Sequence, residues 1–291
     1  GQPMDEFTAG QLCRAINTVH SVSYFLPDTA ERFAALGLEG RTAYFAARSA
    51  PMGAVSARTV AATFYNFNPD LVAQSIPAAW EIASPQTVTA LRYEIVEDNL
   101  PRLLGDLVDT DRFRRVTALL RKAADAIPDG DGRPLYAAHA EIPWPESTPA
   151  QLWHAVTLLR EYRGDGHIAA LITHELSGLE ALITHTLAGI GFSVDFAKAL
   201  RGWSDDQWNA GLASLAERGL VDGNGELAPA GFELRSQIED LTDQLGYRPW
   251  RVLTDADGAE IAALAGEINA RVQAANVFPA GAFGPRYGQD R

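Results

Sequence analysis

The sequence predicts a mainly α-helical protein built of two tandem units, the second of which carries a small two-stranded wing. Three observations predict it. Apolar residues recur at helical spacing through most stretches between Gly and Pro breaks. One segment, Leu220-Val221-Asp222-Gly223-Asn224-Gly225-Glu226-Leu227, sets Asn and Gly, which suit the positive φ of a tight hairpin, between apolar flanks. Matched segments also recur at an offset of roughly 140 residues.

In chain order, Leu12, Ile16 and Val19 place a helix over 8–25, closed by Pro27. A short helix over 29–36 stops at Gly37, and a third over 40–49 stops before Pro51. An aromatic-rich helix is expected over 57–67, and Pro69 opens another that holds Leu71, Val72, Ile76 and Trp80. Ser84-Pro85 starts a longer helix to about Leu104, with Glu94, Glu97 and Asp98 on a solvated face. Residues 112–127 read as a basic amphipathic helix. The segment after it is rich in Pro, Gly and Asp, which divides the chain into units 4–128 and 148–291 with a linker over 129–147. In the second unit Ser204, Asp205 and Asp206 cap a helix carrying Leu212 and Leu215, and Gly219 offers a left-handed stop. A further helix begins near Pro229, after the hairpin. Gly1-Gln2-Pro3, ahead of Met4, reads as an expression scar and is left out of the fold reading.

The duplication rests on several weak matches in one order. Thr8-Ala9-Gly10-Gln11-Leu12 aligns without gaps on Thr148-Pro149-Ala150-Gln151-Leu152, and Gly40-Arg41-Thr42-Ala43-Tyr44 falls on Gly178-Leu179-Glu180-Ala181-Leu182. "FNPD" from Phe67 matches "WSDD" from Trp203, and Leu91-Arg92 with Ile95 matches Leu234-Arg235 with Ile238. Chance alignment of Ala- and Leu-rich helices is the competing explanation.

Helix, wing, helix is the outline of a winged helix-turn-helix, and "LAERGLVDGNGELAPAGFELR" resembles the multiple-antibiotic-resistance-regulator (MarR) type. Regulators of that type are homodimers with interlocked terminal helices, so the resemblance implies duplicated MarR-like units forming a fused pseudo-dimer, which can be a monomer. In the first copy Glu81-Ile82-Ala83-Ser84-Pro85 passes almost directly between helices, so its wing has shrunk. "HSVSYF" from His20, "FYNFNPDLV" from Phe64 and "LREYRGDGHIAAL" from Leu159 extend the resemblance to an actinobacterial helix-turn-helix family of unknown function, which implies a fold and no reaction.

Composition narrows the function. No run approaches the roughly 20 apolar residues that span a bilayer, and no basic-then-apolar leader is present, so a cytoplasmic protein without membrane partners is expected. Cys13 stands alone in an amphipathic helix and reads as a buried structural thiol. The net charge of −13 repels a polyanion. The helix that would enter a major groove offers Asp205, Asp206 and Glu217 against Arg218, and the wing offers Asp222 and Glu226 with no base. Duplex DNA is therefore not expected as a partner.

MarR-type proteins often hold a small ligand between the helical dimer region and the winged units, and the resemblance implies such a cavity here. Candidates to line it are His20, Tyr24, Tyr44, Arg48, Arg58, Phe64, Tyr65 and Phe67, whose guanidinium groups suit an anionic or polar aromatic ligand. The same residues also read as an ordinary aromatic core with Arg48 paired to an acid. Arg163, Asp165 and His167 cluster around Gly164 and Gly166 at an expected helix start, followed by His174, Glu180 and His185. Asp165 would fix the tautomer of His167 as an acid–base pair, or cap the helix over a buried His. His167 and His174 lie about 10 Å apart in helical rise, too far to share a metal, and no HExxH, Cys cluster, GxSxG or phosphate-binding loop is present. No cofactor is named by any motif. Binding of a small molecule, to sequester or sense it, is the leading expectation; an enzyme using His167 with Asp165 and a DNA-binding regulator are the alternatives.

Overall fold

A computed structural model describes residues 1–278, so the end of the second expected unit, 279–291, lies outside the described residues. Among the described residues fifteen α-helices follow in order: α1 (Glu6–Ser21), α2 (Pro27–Leu36), α3 (Gly40–Ser49), α4 (Ala57–Phe64), α5 (Pro69–Ala73), α6 (Ala79–Ile82), α7 (Pro85–Leu104), α8 (Asp111–Asp125), α9 (Pro134–Ala140), α10 (Thr148–Thr173), α11 (Gly178–Leu187), α12 (Val194–Arg201), α13 (Asp205–Glu217), α14 (Pro229–Gly246) and α15 (Asp255–Ala274). The protein is mainly helical, and no described helix is long and apolar enough to cross a membrane.

Local chemistry sets most of the helix ends. Side chains of Asp5, Ser84, Thr110, Ser147 and Ser193 accept from backbone N–H groups of the first turns they precede, meeting donors that have no intrahelical partner. Ser177, Ser204 and Thr254 go further and form reciprocal capping boxes with Glu180, Gln207 and Asp257. Gly37 and Gly202 end α2 and α12 in the left-handed conformation.

The long helix α10 is the centre. It packs against α1, α7, α8, α9 and α14, while α1 lies along α15, so the first and last described helices meet. One apolar cluster joins α1 and the helices up to α9 to the first half of α10 and to α15, with Trp153, Trp250, Phe45 and Phe113 fully buried. A second cluster gathers the end of α10 with α11 to α14 around Trp208, Leu215 and Ile238. These clusters do not divide at the Pro- and Gly-rich segment. Within that segment α9 buries Leu135, Tyr136 and His139, so 129–147 is in part a packed element.

Several local expectations are corrected. The helix expected from Pro69 through Trp80 is two short ones, because Pro77 interrupts it. Residues 163–167 lie in the middle of α10 instead of at a helix start, since flanking apolar contacts carry the helix through Gly164 and Gly166. Gly1-Gln2-Pro3, left out of the sequence reading, touches the fold: Asp255 N donates to Gln2 O at 3.0 Å, and Met4 next to it is fully buried. The hairpin after Gly219 forms, with Asp222 N donating to Glu226 O at 2.8 Å, but it holds a single antiparallel bridge, Val221 to Leu227, in place of two strands. Asp222 Oδ1 there accepts from Asn224 N and Glu226 N at 2.8 and 3.0 Å, closing the turn on itself. Cys13 is buried, and burial pushes its thiol up.

Candidate functional site

A cavity of about 700 Å³ opens where α1, α3 and the α4–α5 loop face α10, α11, α12 and α14. Its size falls within the range of roughly 300–1,000 Å³ common to small-molecule sites. Of the residues the sequence singled out, His20, Tyr24, Tyr44, Arg48, Phe64, Tyr65, Phe67, His167 and His185 line it together.

Four others do not. Arg58 is exposed on α4. Arg163 pairs with Asp243 at 2.9 Å where α10 crosses α14. Glu180 is consumed by the capping box of α11, and His174 ends α10 with its carbonyl accepting from Arg218 at 3.2 Å. Each is turned away by the helix face on which it falls. Asp165 also faces elsewhere: it accepts from Tyr136 N at 2.9 Å, and burial raises its pKa to about 6. His167, two positions on, reaches Thr242 Oγ1 at 2.9 Å. The structure thus separates Asp165 from His167, as side chains two apart on a helix must be.

Local geometry on two segments brings the walls together. Tyr44 and Arg48 lie one turn apart on α3, with Arg48 Nη1 donating to Tyr44 Oη at 3.4 Å and its guanidinium 4.0 Å above the Phe64 ring. Tyr65 leaves α4 at φ +74°, a conformation costly for a non-glycine residue, and its hydroxyl donates to Leu176 O. That turn presses the Tyr65 carbonyl onto α11 so closely that a Cβ at Gly178 would lie 1.9 Å from it. Trp203 Nε1 donates to Asn66 O at 3.0 Å and Asn68 Nδ2 to Gly202 O at 3.0 Å, tying the same loop to the α12–α13 junction.

The electrostatics of the cavity are one-sided. Arg41, Arg48, Arg160, Arg201 and Arg235 line it, and no described Asp or Glu does. Arg160 is neutralised by buried Glu161 at 2.8 Å and Arg235 by Glu239 at 3.3 Å. Among the described residues no carboxylate lies within ion-pair distance of Arg48, only 9% exposed, or of Arg201, although Tyr44, Tyr24 and Glu161 outweigh burial at Arg48 and push its pKa up. Arg201 lies 4.2 Å over the Phe67 ring, and its Nε is buried with no hydrogen-bond partner. Burial, with the like charges of Arg48 and Arg160, lowers its pKa to about 10. Burial pushes the Tyr44 phenol up, but Arg48, Arg201 and Arg160 outweigh it and leave the pKa below its usual value. His167 and His185 are lowered to about 4, chiefly by burial, so both are neutral at pH 7. His20 is lowered too; it stacks on Trp153 and bonds Thr157 Oγ1 at 2.8 Å.

Sequence reasoning missed Arg160, Arg201 and Arg235. No motif marks Arg201, and only the approach of α12 to Phe67 places it in the cavity wall. A partial signal existed, since Arg235 falls opposite Arg92 in the repeat alignment and both are buried.

The helix expected to meet DNA is α13. Its Arg218 donates to Glu175 O at 3.0 Å and pairs with Glu180 at 3.7 Å, while Lys198 pairs with Asp205 at 2.8 Å. With Arg201 in the cavity, these three bases form no continuous stripe.

Residues 9–279 match the model of a helix-turn-helix family, nearly the whole chain. The chain belongs to that family. No curated protein and no solved structure matches it. A helix-turn-helix family is a statement about architecture, and the chemistry has to be argued from the site. Among the described residues no group of three or more His, Cys, Asp or Glu is placed to hold a metal.

Proposed function

We propose that this helix-turn-helix family member binds a small anionic, largely apolar molecule in the cavity, to sequester or sense it. The observation that carries the reading is the pair Arg48 and Arg201, two guanidinium groups without carboxylate partners in a cavity whose described lining holds no acid. The cost of burying a cation falls on Arg201, whose pKa is lowered, and a bound anion offsets it while Phe64, Phe67 and Phe192 cover its apolar body; Arg48, held charged by Tyr44, Tyr24 and Glu161, adds a second donor to the same anion. Tyr44 and Asn66 add polar contacts at the same wall.

Two further features belong to this reading. The chain is a fused pseudo-dimer of MarR-like units: α1 packs on α15 as α10 packs on α8, the reciprocal contacts expected of interlocked copies. The aligned Arg92 and Arg235 each approach a histidine at 3.4 Å, His139 and His185. Duplex DNA binding has been lost, because Arg218 and Lys198 are engaged by Glu180 and Asp205, and the hairpin carries no base to reach a phosphate. The acid–base alternative loses support from the separation of Asp165 and His167.

The test uses a fluorescent aromatic sulfonate, anilinonaphthalene sulfonate, as the probe, with a native mass spectrum of the gently purified protein beside it. Wild type should bind the probe at one site per chain. Arg48→Ala and Arg201→Ala should each weaken it by about 1–3 kcal/mol, the range for losing a hydrogen bond to a charged group, with the fold retained. Equal probe affinity in all three proteins would exclude the cavity as the anion site.

A further inference from the structure

Resting on the reading of the cavity as an anion site, we infer that His167 selects among anions by accepting a hydrogen bond from the ligand. The favoured ligand then carries an O–H or N–H donor remote from its anionic group, on a flat apolar body.

The hydrogen bonds assign the proton on each cavity imidazole. The Thr242 hydroxyl donates to Ile238 O at 2.7 Å, which commits its single proton. The 2.9 Å contact between Thr242 Oγ1 and His167 Nδ1 must therefore be donated by the ring. A neutral imidazole has one N–H, so Nε2 of His167 is a lone-pair acceptor, with no hydrogen-bond partner among the described residues. The other two rings offer no such atom. His20 donates from Nδ1 to Thr157 Oγ1, whose own proton goes to Trp153 O at 2.8 Å. Its Nε2 is taken by the Tyr24 hydroxyl at 3.3 Å, whose oxygen accepts from Arg92 at 2.9 Å. His185 Nδ1 faces an Arg235 N–H at 3.4 Å, so its proton sits on Nε2, against Gly191.

The acceptor and the two guanidinium groups of Arg48 and Arg201 sit on different walls. His167 of α10 is held by Thr242 of α14, whereas Arg48 and Arg201 lie over the Phe64 and Phe67 rings at the α4–α5 loop. A ligand that satisfies both walls must extend across the cavity. An anion lacking a donor at the far end leaves Nε2 desolvated and unpaired, which disfavours it.

The experiment measures binding of two matched anions, naphthoate and a naphthoate hydroxylated on the ring remote from the carboxylate, by calorimetry at pH 7. Wild type should bind the hydroxylated anion about fivefold to tenfold more tightly, the span of one hydrogen bond. His167→Leu should abolish that preference, since it removes the acceptor that naphthoate leaves unpaired, and His167→Gln, which retains an acceptor, should recover part of it. Nitrogen-15 shifts of the unliganded protein should show His167 protonated on Nδ1, and this readout needs no ligand. Two anions bound equally by wild type but weakened by Arg48→Ala would overturn the role of His167 and leave the anion site standing. Failure of both to bind in an Arg48-dependent way would overturn both. A ring protonated on Nε2 would sink the selection mechanism by itself.

Discussion

Arg201 offers the sharpest test of the idea that the cavity keeps an uncompensated cation for a ligand. Replacing it by Met preserves the aliphatic stem and removes the charge. A pKa lowered from 12.5 to about 10 corresponds to roughly 3 kcal/mol against the charged form in the folded state. Because the folded value lies below the unfolded one, that penalty is fully present at every pH below about 10 and is relieved only above it. The contact with the Phe67 ring at 4.2 Å returns about 1 kcal/mol. Arg201→Met should therefore stabilise the ligand-free protein by about 2 kcal/mol, a rise in Tm of about 4 °C for a chain of this size, while weakening anion binding tenfold or more. Differential scanning calorimetry at pH 7 reads the first effect and probe titration the second. A variant with a lower Tm and unchanged probe affinity would show that Arg201 is a structural residue, and the case for an anion site would fail with it.

Other outcomes follow from the same geometry. A gel shift of duplex DNA at physiological salt should show no complex at micromolar protein, and sub-micromolar, salt-dependent binding would refute the loss of that activity. Acidification should destabilise the fold. His139, His154, His167 and His185 sit near 4, chiefly through burial, against about 6.5 when unfolded. The unfolded chain therefore binds more protons between pH 6.5 and 4, and stability falls as pH drops through that window. Glu239, held near 2, extends the loss below pH 4.5. Urea midpoints that are flat from pH 7 to 5 would contradict this. Gly178→Ala puts a methyl 1.9 Å from Tyr65 O and should cost about 1–3 kcal/mol by forcing α11 away from the α4–α5 loop. A Tm equal to wild type would show that the loop yields without cost.

Much of the helical plan was legible because it depends on short-range chemistry. Ser84-Pro85, Ser204 with Gln207, and Gly219 at φ +72° mark ends that any chain with those residues would form. The failures came where tertiary contact overrode local signals. Gly164 and Gly166 read as a break, yet α10 runs through them because both its faces are packed. The hairpin residues were recognisable, but how far the bridge extends depends on pairing beyond the turn, and a single bridge formed.

For the site, sequence alone determined the inventory: aromatic residues and arginines over 44–67, histidines at 167 and 185, and an acidic α13. Tyr44 and Arg48 were legible as a unit because one helical turn joins them. Only the tertiary structure decided which groups share a cavity. It excluded Arg58, Arg163, His174 and Glu180, separated Asp165 from His167, and brought in Arg160, Arg201 and Arg235 from helices far apart in the chain. The reason is that helical periodicity assigns a residue to a face, while the partner of that face is set by how the helices cross. Arg201 carries no signal in the sequence and is a cation in the cavity wall by packing, because it lies over Phe67 of the first half.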